Sequence, residues 1–219
     1  MDKKKILKHY QENREVIDNR LKEFERLRDA DDQRLFKELV FVILTSQSSA
    51  KKSWEATQKL EELSLLESSE KDEIARVLEL NDIQYEQKKA SYIVENRKKL
   101  SQPTLTDPSG KLKIAELIRP DSLDKTRSWF VENIDGLSWK GGSHFLRNIG
   151  YGNGFAIVSS RIVSKLYELD YVEDLEQPSD KESYLEVEKK MQQLAEDTGI
   201  DVKALDLVLW SMETGEVFK

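Results

Sequence analysis

The chain has no cysteine among its 219 residues. That excludes disulfides and any thiolate-held zinc or iron–sulfur centre. Its only histidines are His9 and His144, too few for a histidine-based metal cluster. No apolar run approaches the ~20 residues of a membrane span. The basic start, Met1 to Ile6, is not followed by the apolar core of a signal peptide. These absences lead to the expectation of a soluble, cytoplasmic protein without metal or cofactor. Helix breakers are also scarce, with four prolines and nine glycines. A chain of this length can bury a full core as one large domain or two small lobes.

Acid outweighs base, for a net charge of −7, which taken alone argues against nucleic acid. Where the charges sit matters more than their sum. From Gly136 through Tyr167 there is no Asp or Glu, while Lys140, Arg147, Arg161 and Lys165 fall in that stretch with His144 among them. An acid-free basic island in an acidic protein reads as a local anion site. The plainer alternative is a buried or Gly-rich segment with few charges of either sign, which four cations make the weaker reading.

Periodicity predicts an all-α chain. Lys3 to Arg28 reads as an amphipathic surface helix, with Ile6, Ile17, Leu21 and Phe24 on one side. Arg34 to Thr45 is almost solidly apolar; with no second run to pair with as a strand, it reads as a central buried helix. Further helices are expected over Ala50 to Glu62, Lys71 to Leu80 and Lys88 to Leu100, with a Pro-containing loop from Gln102 to Gly110. Lys111 to Leu117 reads as a short helix ending before Pro120. Leu123 to Ile134 follows, capped by Asp121 or Ser122, then Lys140 to Ile149 and Ile157 to Leu169. Tyr184, Val187, Met191 and Leu194 mark a helix ended by Gly199, and Val202 to Met212 forms the last.

Six of the nine glycines lie between Gly136 and Gly154, so the informative turn is there. Ile134 to Lys140 joins two helices in very few residues, and Gly136 fits the left-handed position past a helix end. Such a hairpin aims the next helix's first N–H groups outward, a phosphate site that reads no sequence. Lys140 sits in the first turn of that helix, where the dipole disfavours a cation. That field, with partial cover by Trp139, would lower a lysine's pKa and make it a competent amine nucleophile. A solvated lysine on a phosphate is the plain alternative, and the stronger of the two for Lys140 taken alone.

Four blocks in order then resemble a known family. Arg127 to Gly150, above all Ser143-His-Phe-Leu-Arg-Asn148, resembles the helix-hairpin-helix DNA glycosylase superfamily. Within it the chain is similar to the archaeal-type second class of 8-oxoguanine DNA glycosylase/AP lyases. Leu44-Thr-Ser-Gln-Ser48 resembles that class's DNA-facing loop, and Gln87-Lys-Lys-Ala-Ser-Tyr-Ile-Val94 its middle helix. Leu205-Asp-Leu-Val-Leu-Trp210 with Thr214 to Lys219 resembles its C-terminus. The resemblance implies a two-lobed helical bundle, one glycosylase unit over residues 1–219 with the hairpin at about 123–150. It implies a monomer that acts on double-stranded DNA carrying a damaged base or abasic site, near the nucleoid. Lys140 is then the Schiff-base nucleophile. Gln47 lies where relatives fill the gap left by a flipped base, and Tyr85 where they place a wedge, though Tyr85 could equally be a core aromatic. Trp210 and Lys219 fall at base-pocket positions, although a late-helix Trp is more often core. Gly136, Ser138, His144, Arg147 and Arg161 fall at DNA-contacting positions.

The chain departs from the pattern at two places. The class usually carries Asp-Arg-His after an apolar triplet, where this chain has Ser159-Ser-Arg161. Ser159 can cap a helix as aspartate does, but supplies no charge. Ser138 also stands where a second hairpin glycine is usual. Three readings remain open: slow base excision with lyase chemistry kept, a substitute carboxylate such as Asp135, or a protein that binds damaged DNA without excising.

Overall fold

The computed structural model describes residues 2–103 and 108–219. The loop expected at Gln102 to Gly110 therefore lies partly outside the described residues. Among the described residues there is no strand. The helices are α1 (Lys3–Glu25), α2 (Asp32–Leu44), α3 (Ala50–Glu62), α4 (Leu65–Ser68), α5 (Lys71–Leu80), α6 (Glu86–Leu100), α7 (Leu123–Asn133), α8 (Trp139–Asn148), α9 (Ser160–Glu168), α10 (Lys181–Thr198) and α11 (Val202–Thr214). The chain divides into two compact units: a contiguous one, Asp29–Gly141, and a split one made of Met1–Arg28 with Gly142–Lys219. The first turn of α8 belongs to the contiguous unit and the rest to the split unit.

In the contiguous unit, α2 is the buried central helix that its composition predicts. Asp31 caps it by accepting from the Arg34 N–H at 2.8 Å. Every residue from Leu35 to Leu44 is buried, and each large apolar side chain so removed from water contributes about 1.5–3 kcal/mol. Two charges inside that run need partners. Glu38 accepts from Arg34 at 2.9 Å; Lys37 pairs with Glu61 and lies over the Trp54 ring. Helices α5 and α6 pack closely on each other, and α6 also packs on α2.

Two expectations here are corrected. Lys111 to Leu117 is not an α-helix: only Ala115–Leu117 turns, as a 3-10 helix. Its backbone donors are engaged elsewhere, Lys113 N–H with the Leu100 carbonyl at 3.0 Å and Ala115 N–H with Asp32 Oδ1 at 2.8 Å. At α7, Ser122 holds the N-cap position, but its side chain makes no cap hydrogen bond. The nearby Thr126 hydroxyl instead accepts from the Arg119 N–H at 2.9 Å.

In the split unit, α1 packs along α11. Ile6, Ile17 and Phe24 are buried, and His9 Nε2 meets Ser211 Oγ at 2.8 Å. The helix ends at Glu25 and a 3-10 turn, Arg26–Asp29, follows. Gly150 ends the α8 segment at φ +84°, with a Cβ there only 2.8 Å from the Phe24 carbonyl oxygen. No side chain fits, and Arg28 Nε closes the contact by donating to the Gly150 carbonyl at 2.7 Å.

The expected helix from Ile157 to Leu169 starts later, at Ser160. Residues 155–159 form no helix, because α10 binds part of their backbone, and Ser159 itself is extended. Glu188 accepts from the Ala156 N–H at 3.0 Å. The Tyr184 hydroxyl donates to the Ala156 carbonyl at 2.7 Å and accepts from the Val158 N–H at 3.3 Å. Gln192 adds a hydrogen bond to the Gly154 carbonyl at 2.7 Å. The spacing 184, 188, 192 places these three groups on one helix face. That strap delivers Ser159.

Candidate functional site

The hairpin is built on Gly136, whose φ is +81°. A Cβ there would lie 2.4 Å from Tyr92 Cδ2 on α6, so glycine is required both by conformation and by the approach of that ring. Helix α6 holds the rest of the turn. The Asn96 amide donates to the Asp135 carbonyl at 2.9 Å and its oxygen accepts from the Asp135 N–H at 2.8 Å. Lys99 donates to the Asn133 carbonyl at 2.6 Å and pairs with Asp135 at 3.5 Å. Asp135 is thus engaged at the hairpin with Lys99. Gly136→Ala should cost roughly 2–6 kcal/mol in urea unfolding, the combined scale of a left-handed non-glycine residue and an overpacked contact. An unchanged denaturation midpoint would mean that the hairpin does not need this approach.

Ser138, in place of the usual glycine, accepts from the Gly141 N–H at 3.2 Å. That is the bond of a helix N-cap, and it starts α8. Lys140 stands in the first turn of that helix, partly buried. Beneath its neighbour Trp139 lies Arg127, buried, with its guanidinium 5.2 Å from the indole centroid.

The other two contiguous-unit candidates sit on strained turns. Gln47 has φ +53° and Tyr85 φ +59°, a left-handed conformation that costs of order 1–3 kcal/mol for a residue other than glycine. Both are exposed, Tyr85 at 59%. The core alternative for Tyr85 is therefore set aside. The two turns are joined, since the Ser48 hydroxyl accepts from the Gln84 N–H at 3.0 Å and from Lys89 at 3.1 Å. Lys89 was not singled out by sequence. It is buried, and burial draws its pKa from 10.5 down to about 8. It donates to the Leu44 carbonyl at 2.9 Å and to the Ser46 carbonyl at 2.5 Å. The only sequence signal was its place in the Gln87 to Val94 block.

In the split unit, Ser159 is the N-cap of α9, accepting from the Ile162 N–H at 3.4 Å. With Arg161, Lys165, Asp206, Leu209 and Trp210 it lines one small hollow. Ser159, Arg161 and Trp210 are therefore brought together. The Arg161 guanidinium lies 4.4 Å from the Trp210 ring centroid, and the buried Trp210 Nε1–H meets no acceptor among the described residues. Lys219 is described and partly buried, after the left-handed Gly215 that ends α11.

The basic island is less basic in space than in sequence. Arg147 is buried, 3.3 Å from Asp206 and stacked 4.7 Å from the Phe24 ring. His144 is buried as well. Arg161 and Lys165 both pair with Glu213, at 3.3 and 3.5 Å. Helix α11 supplies the carboxylates that the local sequence lacks. Of the residues at expected DNA-contacting positions, His144 and Arg147 are thus buried, while Arg161 keeps an exposed side chain.

An all-helical chain with a glycine-turned hairpin opening onto a lysine-bearing helix is a helix-hairpin-helix protein. The family model described as 8-oxoguanine DNA glycosylase matches residues 17–200. The chain is 33% identical, over 98% of its length and 96% of the relative's, to an 8-oxoguanine DNA glycosylase/AP lyase of Fusobacterium nucleatum. It is also similar to the crystal structure of the 8-oxoguanine DNA glycosylase of Thermotoga maritima, with a TM-score of 0.87 and 29% identity over 99% of this chain and 98% of that one. A Methanocaldococcus jannaschii 8-oxoguanine glycosylase/lyase, in complex with 15mer DNA containing 8-oxoguanine, matches at a TM-score of 0.82 and 27% identity, over 97% and 99% of the two chains. The chain belongs to the 8-oxoguanine DNA glycosylase family. Among the described residues no helix is long and apolar enough to cross a membrane.

Proposed function

We propose that this protein is a base-excision repair enzyme: a DNA N-glycosylase and AP lyase acting on 8-oxoguanine or a related oxidised purine, with Lys140 as the nucleophile. Lys140 carries the reading, in the first turn of the helix that the Gly136 hairpin opens, in a chain of this family. The target leaves the stack first, at a cost of a few kcal/mol. The neutral Lys140 amine attacks C1′ as the glycosidic bond breaks and the base departs with a proton. Opening of the sugar leaves a Schiff base. Loss of a C2′ proton then expels the 3′ phosphate and nicks the strand.

Gln47 and Tyr85 enter the duplex beside the vacated site, and the hairpin at Gly136 and Ser138 holds a backbone phosphate. Trp210 and Lys219 meet the extruded base, which requires Arg161 to give up its place over the Trp210 ring. The enzyme works as a monomer in the cytoplasm, at the nucleoid. Ser159 favours a second reading, a lyase or damage-binding protein with little excision, because the usual aspartate's charge is absent.

Borohydride trapping of the intact protein tests the proposal. Adducts on duplexes carrying 8-oxoguanine and on ready-made abasic duplexes are expected. An adduct on the abasic duplex alone would establish the second reading. No adduct on either would remove Lys140 from the chemistry.

A further inference from the structure

The two strained turns that carry Gln47 and Tyr85 are not independent. Ser48 follows Gln47 and Gln84 precedes Tyr85, and the Ser48 hydroxyl accepts from the Gln84 N–H. Lys89, one turn into α6, donates to that same hydroxyl and to the carbonyls of Leu44 and Ser46. A buried ammonium thus closes the C-terminal end of α2, where the dipole favours a cation, and fixes the turn that follows. Its backbone N–H also bonds to the Tyr85 carbonyl at 2.9 Å. The Lys52–Asp82 pair crosses the same corner at 2.9 Å, but it is exposed, and such pairs add little.

A buried lysine is costly unless its donors are met. All three Lys89 acceptors belong to the Gln47 turn or to the helix end leading into it. No core apolar residue of similar length could make these bonds. Strained, exposed side chains on separate loops would relax unless the surroundings held them.

We propose that Lys89 is a positioning residue which, through the shared Ser48 hydroxyl, locks the Gln47 and Tyr85 turns into one wedge that enters DNA as a unit. The inference rests on the reading of Gln47 and Tyr85 as duplex-entering residues. Lys89 itself touches no DNA. Its effect is to make insertion of one side chain dependent on the other, so that unstacking occurs at both flanks of a lesion together.

The test uses the full-length protein and a duplex with a tetrahydrofuran abasic analogue flanked by 2-aminopurine, whose fluorescence reports unstacking. Lys89→Met and Ser48→Ala should each remove most of the fluorescence rise. Each should raise KM about tenfold on a ready-made abasic duplex while kcat falls less than about threefold, the pattern of lost binding rather than lost chemistry. The double variant should be no worse than Lys89→Met, since the two side chains act through one link. Lys89→Arg, which keeps donors and charge, should restore part of the signal.

Gln47→Ala and Tyr85→Ala separate the two levels of the inference. If they silence the fluorescence and Lys89→Met with Ser48→Ala do not, the lock is overturned and the wedge stands. If they leave it unchanged, the wedge reading falls and takes the lock with it. Equal losses of kcat and thermal stability, with the fluorescence rise intact, would reduce Lys89 to a packing role and overturn the proposal. Should Lys89→Met fail to fold, Ser48→Ala and Lys89→Arg carry the same comparison.

Discussion

Replacing Lys140 with glutamine should abolish the borohydride adduct and lower strand nicking by on the order of a thousandfold or more, the scale seen when a covalent nucleophile is removed. Glutamine keeps most of the reach and polarity and loses only the amine. The fold should survive. Lys140 sits partly buried in the first turn of α8, and a neutral residue there is relieved of the unfavourable helix dipole, so the melting temperature should change little. Activity lost at constant or higher melting temperature is the signature of a nucleophile. An adduct that persists in Lys140→Gln would assign the chemistry to another amine.

Ser159→Asp should raise base excision by about a hundredfold to a thousandfold, corresponding to the ~2.7–4 kcal/mol that one well-placed electrostatic group contributes. The site is already prepared for it. Ser159 has extended backbone, φ −108° and ψ 167°, and caps α9 through its side chain. Aspartate fills the same role, and its charge meets the favourable end of the dipole. Arg161 and Lys165 line the same hollow together with Asp206, and both cations already pair with Glu213, so the favourable field for the new carboxylate comes from the helix end. Ser159→Ala is the control. It should lose about 0.5–2 kcal/mol of capping and gain no excision. A Ser159→Asp variant no faster than the parent would show that the deficit is not electrostatic, and would turn attention to Asp206 in that hollow.

Several elements were legible in sequence because a single local rule decides them. Helix α3 matches its expected bounds because Ser49 and the apolar spacing both mark its start. The left-handed Gly136 follows from the shortness of the hairpin. Other features were hidden because distant residues decide them. Ile157 and Val158 have ordinary helical spacing, yet Tyr184 and Glu188 bind the backbone of that segment and the helix starts only at Ser160. Tyr184 reads as one more apolar residue in a stripe; its hydroxyl gives no periodic signal. The acid-free island misled for the same reason. Its missing acids, Asp206 and Glu213, arrive from α11, far along the chain. Within the candidate site, sequence resemblance supplied Gln47 and Tyr85, but nothing local announces that Lys89 ties their turns. A lysine in a charged helix looks like a surface residue until its three acceptors are seen.

The split unit has a consequence for how the chain is made. Residues 29–141 form a contiguous unit, so the packing within that unit can form once residue 141 has been made. Helix α1 is synthesised well before its packing partner α11, with Ile6, Ile17 and Phe24 on its inner face. At about 5–20 residues per second, that apolar face waits on the order of ten to forty seconds for its cover. Through that interval the nascent protein carries an uncovered first helix. Its yield in the cell should therefore depend on chaperone holding of the N-terminal helix more than on the stability of the completed fold.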